Sequence, residues 1–221
     1  MKLWLEGLQQ PLLTDGEGVT TLVIENQAFM MRVLSDIYAQ TQGETGSAVL
    51  SSNGKIIDIN NGLDLLTDFV AFDGNRKGLL TKILHVLEKT ANDEVYFQRT
   101  HKLLADLECY LNDLAMEQEV DLAYEKLSLN NLLKSVGVRV IIDYTKLVER
   151  LFAYMDLVRR FEGEKLFLLV NLRSFVSNED MELFMQTVVA HGLQVLLVDN
   201  QAYPLLPLER RRIIDTDLCE I

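Results

Sequence analysis

Four carboxylates crowd one short stretch of this chain: Glu117, Glu119, Asp121 and Glu125. Oxygen donors at that density suit a hard divalent cation. Ca²⁺ accepts roughly six to eight oxygens in irregular geometry, where Mg²⁺ demands a near-octahedral set. The stretch is not an EF-hand, because the Asp spacing and central glycine of that loop are missing. From the residues alone two readings stay open, a cation site and a solvated acidic bend. Other chemistry is more dispersed. His85, His101 and His191 are isolated, and no Cys or His pair has zinc-ligand spacing. There is no G-x-S-x-G turn and no H-E-x-x-H helix. His191 precedes Gly192 at an expected helix end, where an imidazolium complements the dipole. Cys109 and Cys219 lie far apart in sequence and read as two reduced thiols, with a single disulfide as the alternative.

The cations form a second group. The net charge is −12, which alone argues against a nucleic-acid partner. Its distribution says more. From Leu103 to Glu125 there are seven acids and no Lys or Arg, while Lys134 to Arg173 is net +3 and the rest −15. Segregation of this kind reads either as two surfaces with different partners or as ordinary solvated faces. The cations that could meet phosphate are Lys134, Arg139, Lys146, Arg150, Arg159, Arg160 and Arg173. Lys146 and Arg150 are four apart and share a helix face. Arg210-Arg211-Arg212 forms another cluster near the C-terminus. Few aromatics interleave with these cations, so base stacking is not indicated.

The elements that must hold these groups alternate between strand and helix. Val19–Ile24 reads as a buried strand, and Asn26 opens a helix running to about Tyr38. Val49 to Ile59 reads as a hairpin turning at Asn53-Gly54. Between Asn75 and Glu119 two apolar patterns at helical spacing predict an antiparallel helical pair, broken near Thr90-Ala91-Asn92-Asp93. Ser128 is placed to cap a short helix ending at Gly137. Val138 to Ile142 predicts a strand, Thr145 to Phe161 an amphipathic helix, and Lys165 to Val170 an apolar strand. A helix capped by Ser177 and ending at His191-Gly192 leads into the strand Leu193 to Val198. Near-continuous apolar strands separated by helices imply a parallel sheet covered on both faces. The expected organisation is an α/β head, residues 1–66 and 134–221, with a helical unit over 67–133 inserted into it. No apolar run reaches the roughly 20 residues of a membrane span, and no leader opens the chain.

Parallel sheets often carry a phosphate loop after the first strand. The nearest candidate, Gly46 to Lys55, has its glycines too far apart and reads as a hairpin. Asp199 after Leu193 to Val198 resembles the metal-holding residue of such ATPases, or else is the polar end of a core strand. A degenerate P-loop-like nucleotide hydrolase or kinase is one alternative function, and a protein-binding scaffold is another.

Several segments in order carry a resemblance: Thr20 to Glu25, Thr67 to Asp73, Glu117 to Leu122, Leu132 to Val140 and Lys165 to Asn171. Together they resemble the small CRISPR-associated adaptation protein of type II-A systems, over nearly the whole chain. The resemblance implies a P-loop-ATPase-like α/β head without the phosphate loop, plus an inserted helical leg. It implies a non-catalytic, cytoplasmic bacterial protein that forms a Ca²⁺-dependent homotetrameric ring around double-stranded DNA. That protein would serve spacer acquisition beside the adaptation integrase and the RNA-guided effector nuclease. The family's acidic segment maps onto Glu117, Glu119, Asp121 and Glu125, which favours the Ca²⁺ reading of those carboxylates. Ala123 and Lys126 depart from the pattern, standing where relatives often carry acids.

Overall fold

The computed structural model describes residues 1–14, 17–118, 120 and 122–221. Along the chain run β1 (Lys2–Trp4), β2 (Leu12–Leu13), β3 (Val19–Ile24), α1 (Gln27–Thr41), β4 (Val49–Ser52), β5 (Lys55–Ile57), α2 (Ile59–Gly62) and β6 (Leu63–Leu66). Then come α3 (Lys77–Ala91), α4 (Phe97–Met116), α5 (Leu129–Ser135), α6 (Leu147–Glu162), β7 (Leu166–Val170), α7 (Asn178–Ala190), β8 (Gln194–Asp199) and β9 (Glu209–Ile214). The chain divides into two compact units, residues 1–74 with 142–221, and residues 75–141.

The first unit is α/β. Its main sheet is parallel throughout, in the order β6-β7-β8-β3-β9. β3 and β7 are buried at every position, and β8 at all but its first. Their apolar runs follow from that burial on both faces. Leu22, Ile24, Leu168, Leu196 and Val198 share one core with Phe29, Val33 and Ile37 of α1 and with Leu3 and Leu50 of a second, antiparallel sheet, β2-β1-β4-β5. The alternate residues Val23, Phe167, Leu169, Val195 and Leu197 face the other way. Leu151 and Met155 of α6 and Met181 and Met185 of α7 are also buried, outside the core shared with α1. The β4–β5 turn at Asn53-Gly54 has positive φ at both residues, as a two-residue hairpin requires.

Two strands of the main sheet are not evident in the sequence. β6 carries a buried Asp64, which accepts a hydrogen bond from the Tyr154 hydroxyl at 2.7 Å. β9 contains Arg210-Arg211-Arg212 and stands at the sheet edge, where charge is common. The C-terminal residues fold back along it: Ile213 and Ile221 exchange backbone hydrogen bonds of 3.1 and 2.8 Å. One expected strand is corrected. Val138 to Ile142 is irregular, not a strand. Its backbone is held by a side chain instead, because the Asn75 amide donates to the Val140 carbonyl at 3.1 Å and accepts from its N–H at 2.9 Å.

The second unit, residues 75–141, is helical. A turn joins α3 to α4, and the Thr100 hydroxyl donates to the Ala91 carbonyl across it at 2.9 Å. α3 packs on α5, and Asn130 of α5 donates to Glu88 of α3 at 3.3 Å. Ser128 caps α5, as expected. After α4 the chain returns alongside it, with the Tyr124 hydroxyl donating to Asn112 and to the Glu108 carbonyl. The unit begins at 75 rather than 67 because Phe69 and Phe72 are buried residues of the α/β unit. Phe72 packs edge-on against Tyr154, with ring centroids 5.3 Å apart.

Candidate functional site

The place where a parallel sheet takes its ligand is the crevice at the carboxyl ends of its strands. Here the connection from β3 to α1 is only Glu25-Asn26. The Asn26 side chain caps α1 by accepting from the Phe29 N–H at 2.9 Å. A two-residue link whose helix end is already capped leaves no run of free N–H groups for a phosphate. The Gly46 to Lys55 stretch lies in and beside the β4–β5 hairpin, away from any such link.

Asp199 ends β8 and is 1 % exposed. Neither carboxylate oxygen has a hydrogen-bond partner among the described residues. Burial pushes its pKa up to about 6 from 3.8, the nearby Arg173 working against that shift. Arg173 donates to Glu209 at 3.0 Å, to Asn178 at 3.1 Å and to the Pro204 carbonyl at 2.9 Å. Arg211 donates twice to the other Glu209 oxygen, at 2.7 and 2.9 Å. Glu209 therefore bridges two guanidinium groups inside the protein. Sequence reading missed this triad, whose members are brought together only by the fold.

Arg173 is thus a buried structural cation and not part of an exposed phosphate-binding face. The other expected cations of the α/β unit are also engaged. Lys146 pairs with Asp180 at 2.7 Å. The hydrogen bond and charge of Asp180 hold Lys146 above the usual lysine range. The Lys146 and then the Ser177 hydrogen bond hold Asp180 below the usual carboxylate range. Arg159 pairs with Asp156 at 2.9 Å and donates to the His191 carbonyl. Arg150 lies over the Phe72 ring and Arg160 over Phe161. Lys134 and Arg139 fall in the helical unit, exposed and without an ion pair among the described residues.

That unit holds further cations that the charge count of 134–173 passed over. Lys82 and Lys89 on α3, and Arg99 and Lys102 on α4, are exposed. Their side chains make no hydrogen bond or ion pair among the described residues. The seven-residue spacing of Lys82 and Lys89, two helical turns, was the signal available in the sequence. Of the four acidic candidates, Glu117 is the exposed C-cap of α4 and Glu125 is exposed beyond it. Glu119 and Asp121 lie outside the described residues. Among the described residues no three metal-ligating side chains converge. α4 itself has no buried residue over its 20 positions. It exposes Leu103, Tyr110 and Leu114, which lie seven and four apart on one face.

His191 stacks edge-on against Phe152 at 4.7 Å and bonds the Thr187 carbonyl, a helix-end role. Cys109 and Cys219 are free, exposed thiols. A hollow of about 190 Å³ beside α6 and α7 is walled mainly by Val148, Phe152, Leu183 and Phe184, with Tyr144, Glu149 and Thr187 also lining it. No described helix is long and apolar enough to cross a membrane.

These features define an α/β protein with an inserted helical unit that carries unpaired charges and an exposed apolar stripe. The family model described as CRISPR-associated protein (Cas_Csn2) matches residues 40–218. CRISPR-associated protein Csn2 of Enterococcus faecalis is 20% identical over 195 residues, 88% of this chain and 87% of that protein. The chain belongs to the Cas_Csn2 family of CRISPR-associated proteins.

Proposed function

We propose that this protein is a non-catalytic, sequence-independent binder of double-stranded DNA, acting in CRISPR spacer acquisition as a Ca²⁺-dependent homotetrameric ring. It works in the bacterial cytoplasm beside the adaptation integrase and the RNA-guided effector nuclease. The α/β unit has a P-loop-ATPase-like ancestry in this reading, with the β3–α1 link too short for a phosphate loop. Family membership supports the CRISPR role. The observation that carries the assembled form is α4, an amphipathic helix of 20 residues with none buried. An apolar stripe of that length is covered by burial against another surface in a stable assembly. A second copy of the chain is that surface.

Ca²⁺ takes roughly six to eight oxygen ligands. Glu117 and Glu125 are exposed carboxylates without a hydrogen-bond partner among the described residues, so they fit as two of them. Glu119, Asp121 or a neighbouring subunit supplies the rest. The bound ion offsets repulsion among these carboxylates. A ring keeps duplex from dissociating without reading its bases, so affinity falls steeply with salt and is indifferent to sequence. Lys134 and Arg139 are the two expected cations that this reading retains at the DNA. Gel-shift titration with a linear duplex in Ca²⁺ and in excess chelator tests it, with sedimentation velocity on the same samples. The expected result is a tetramer that retards duplex in Ca²⁺ and neither assembles nor binds in chelator. A monomer in Ca²⁺ that leaves duplex free at low salt overturns it.

A further inference from the structure

We infer that the duplex backbone is gripped by the helical unit, through Lys82 and Lys89 of α3 and Arg99 and Lys102 of α4. This rests on the DNA-binding reading above and assigns its contact surface. Two independent observations carry it.

The first is pairing. In the α/β unit Lys146, Arg159, Lys165, Arg173, Arg211 and Arg212 each hold a carboxylate within ion-pair distance. Such a cation must give up its partner before it can neutralise a phosphate. Lys82, Lys89, Arg99 and Lys102 have no such partner among the described residues. Glu88 of α3 accepts a hydrogen bond from Asn130, and Asp93 and Glu94 of the following turn and Asp106 of α4 make no ion pair with these cations among the described residues.

The second is placement. Arg99 and Lys102 lie in the first two turns of α4, which carries no acid in its first turn. Arg99, in the first turn, opposes the positive end of the helix dipole, so it weakens the helix unless an external anion sits beside it. The positive end of α4 then adds to the attraction for that anion instead of opposing the side chains. Lys89 lies in the last turn of α3, just across the turn that Thr100 and Ala91 close. Lys82 continues the same face two turns back, about 10 Å along the axis. Lysine stems and arginine forks suit backbone contact without base readout.

The test compares two charge-matched variants with the wild-type protein. One carries Lys82→Gln, Lys89→Gln, Arg99→Gln and Lys102→Gln. The other carries Lys146→Gln, Arg150→Gln, Arg159→Gln and Arg160→Gln. Circular dichroism confirms folding, and sedimentation velocity in Ca²⁺ gives the assembly state. Affinity for a short linear duplex is then measured across a salt series. Each phosphate contact contributes about 0.9 to the slope of log affinity against log salt. The first variant is expected to lose roughly 3 to 4 units of slope and at least tenfold in affinity at low salt, at an unchanged assembly state. The second is expected to lose less than about one unit. A full slope in the first variant, or an equal or larger loss in the second, overturns the assignment and leaves DNA binding standing. A loss in the first that tracks altered assembly also overturns it. Absence of duplex binding by the wild-type protein removes the DNA reading itself, and this assignment with it.

Discussion

The two units of this chain satisfy their polar and apolar groups in opposite ways. The α/β unit closes on itself. Strands β3 and β7 are buried on both faces, Arg159, Arg173, Arg211 and Arg212 find carboxylates, and the end of the edge strand β9 pairs with the chain's own C-terminal residues. The helical unit does none of this: α4 has no buried residue, α3 has only Leu79, and their cations lack partners among the described residues. A fold's stability comes mainly from the first kind of arrangement, and its capacity to bind comes from the second. The same residue type therefore has a different meaning in each unit. An arginine substitution in one tests the fold, and in the other it tests the proposed recognition.

The largest effect is expected where the α/β unit is most closed. Glu209→Ala leaves Arg173 and Arg211 facing each other without their shared carboxylate, with the Arg173 side chain 2 % exposed. Breaking a buried ion pair on one side costs about 3–5 kcal/mol. The urea midpoint should fall accordingly. A change under about 1 kcal/mol would remove the contrast between the units, since exposed pairs are worth no more than that.

Asp199 gives a somewhat smaller effect of opposite sign. Its folded pKa of about 6 stands above the ordinary 3.8. Between those values the folded protein keeps a proton that the unfolded chain has released. Stability from this group therefore falls as pH rises from about 4 to about 6, and the deficit is constant above that. Asp199→Asn removes the charge but brings amide hydrogens that also need acceptors. The net expectation is a gain of roughly 1–3 kcal/mol at neutral pH, and a flatter stability profile between pH 4 and 6. Thermal unfolding across that range checks it. A variant less stable than the wild type at neutral pH would show that the ionised carboxylate is satisfied.

What was legible in the sequence follows the same division. β3, β7 and β8 were readable because strands buried on both faces are continuous apolar runs. α3 and α4 were readable from helical spacing. β9 was not, because Glu-Arg-Arg-Arg looks like solvated surface until Arg173 and Glu220 arrive from elsewhere in the chain. Val138 to Ile142 had strand composition but no strand beside it, and Asn75 took the place of a neighbour. The candidate site was half legible. Charge segregation is a property of sequence, whereas pairing is a property of the fold: Lys146 is tied to Asp180, 34 residues away. Counting cations therefore favoured 134–173, where most are engaged, over Lys82 to Lys102, where they have no partner among the described residues.

On the helical unit, substitution should separate stability from assembly. Leu103→Gln with Leu114→Gln alters residues 55 % and 42 % exposed. Surface changes of this kind move stability by no more than about 0.5 kcal/mol. The thermal midpoint of the isolated chain in chelator should barely shift, while sedimentation in Ca²⁺ should show loss of the assembled form. A large drop in the midpoint would mean that the stripe is part of the fold's own core.

The smallest effect is expected at the Lys146–Asp180 pair. Both side chains keep substantial exposure, at 54 % and 31 %. Solvent and salt screen such a pair, and two side chains lose freedom in forming it. Its contribution is present above the ordinary Asp value of 3.8 and below the ordinary Lys value of 10.5. It is lost as pH falls through the depressed Asp180 pKa, or rises through the elevated Lys146 pKa. Lys146→Met should therefore leave the urea midpoint at neutral pH indistinguishable from wild type. Ser177→Ala, which removes the cap hydrogen bond to the Asp180 N–H on the same helix end, should lower it by about 1 kcal/mol. The order of these two is the informative result. If Lys146→Met were the more damaging, surface pairs would be holding the α/β unit together. The engaged state of its cations would then be a requirement of the fold, and the unpaired cations of the helical unit would mark a region that folds by other means.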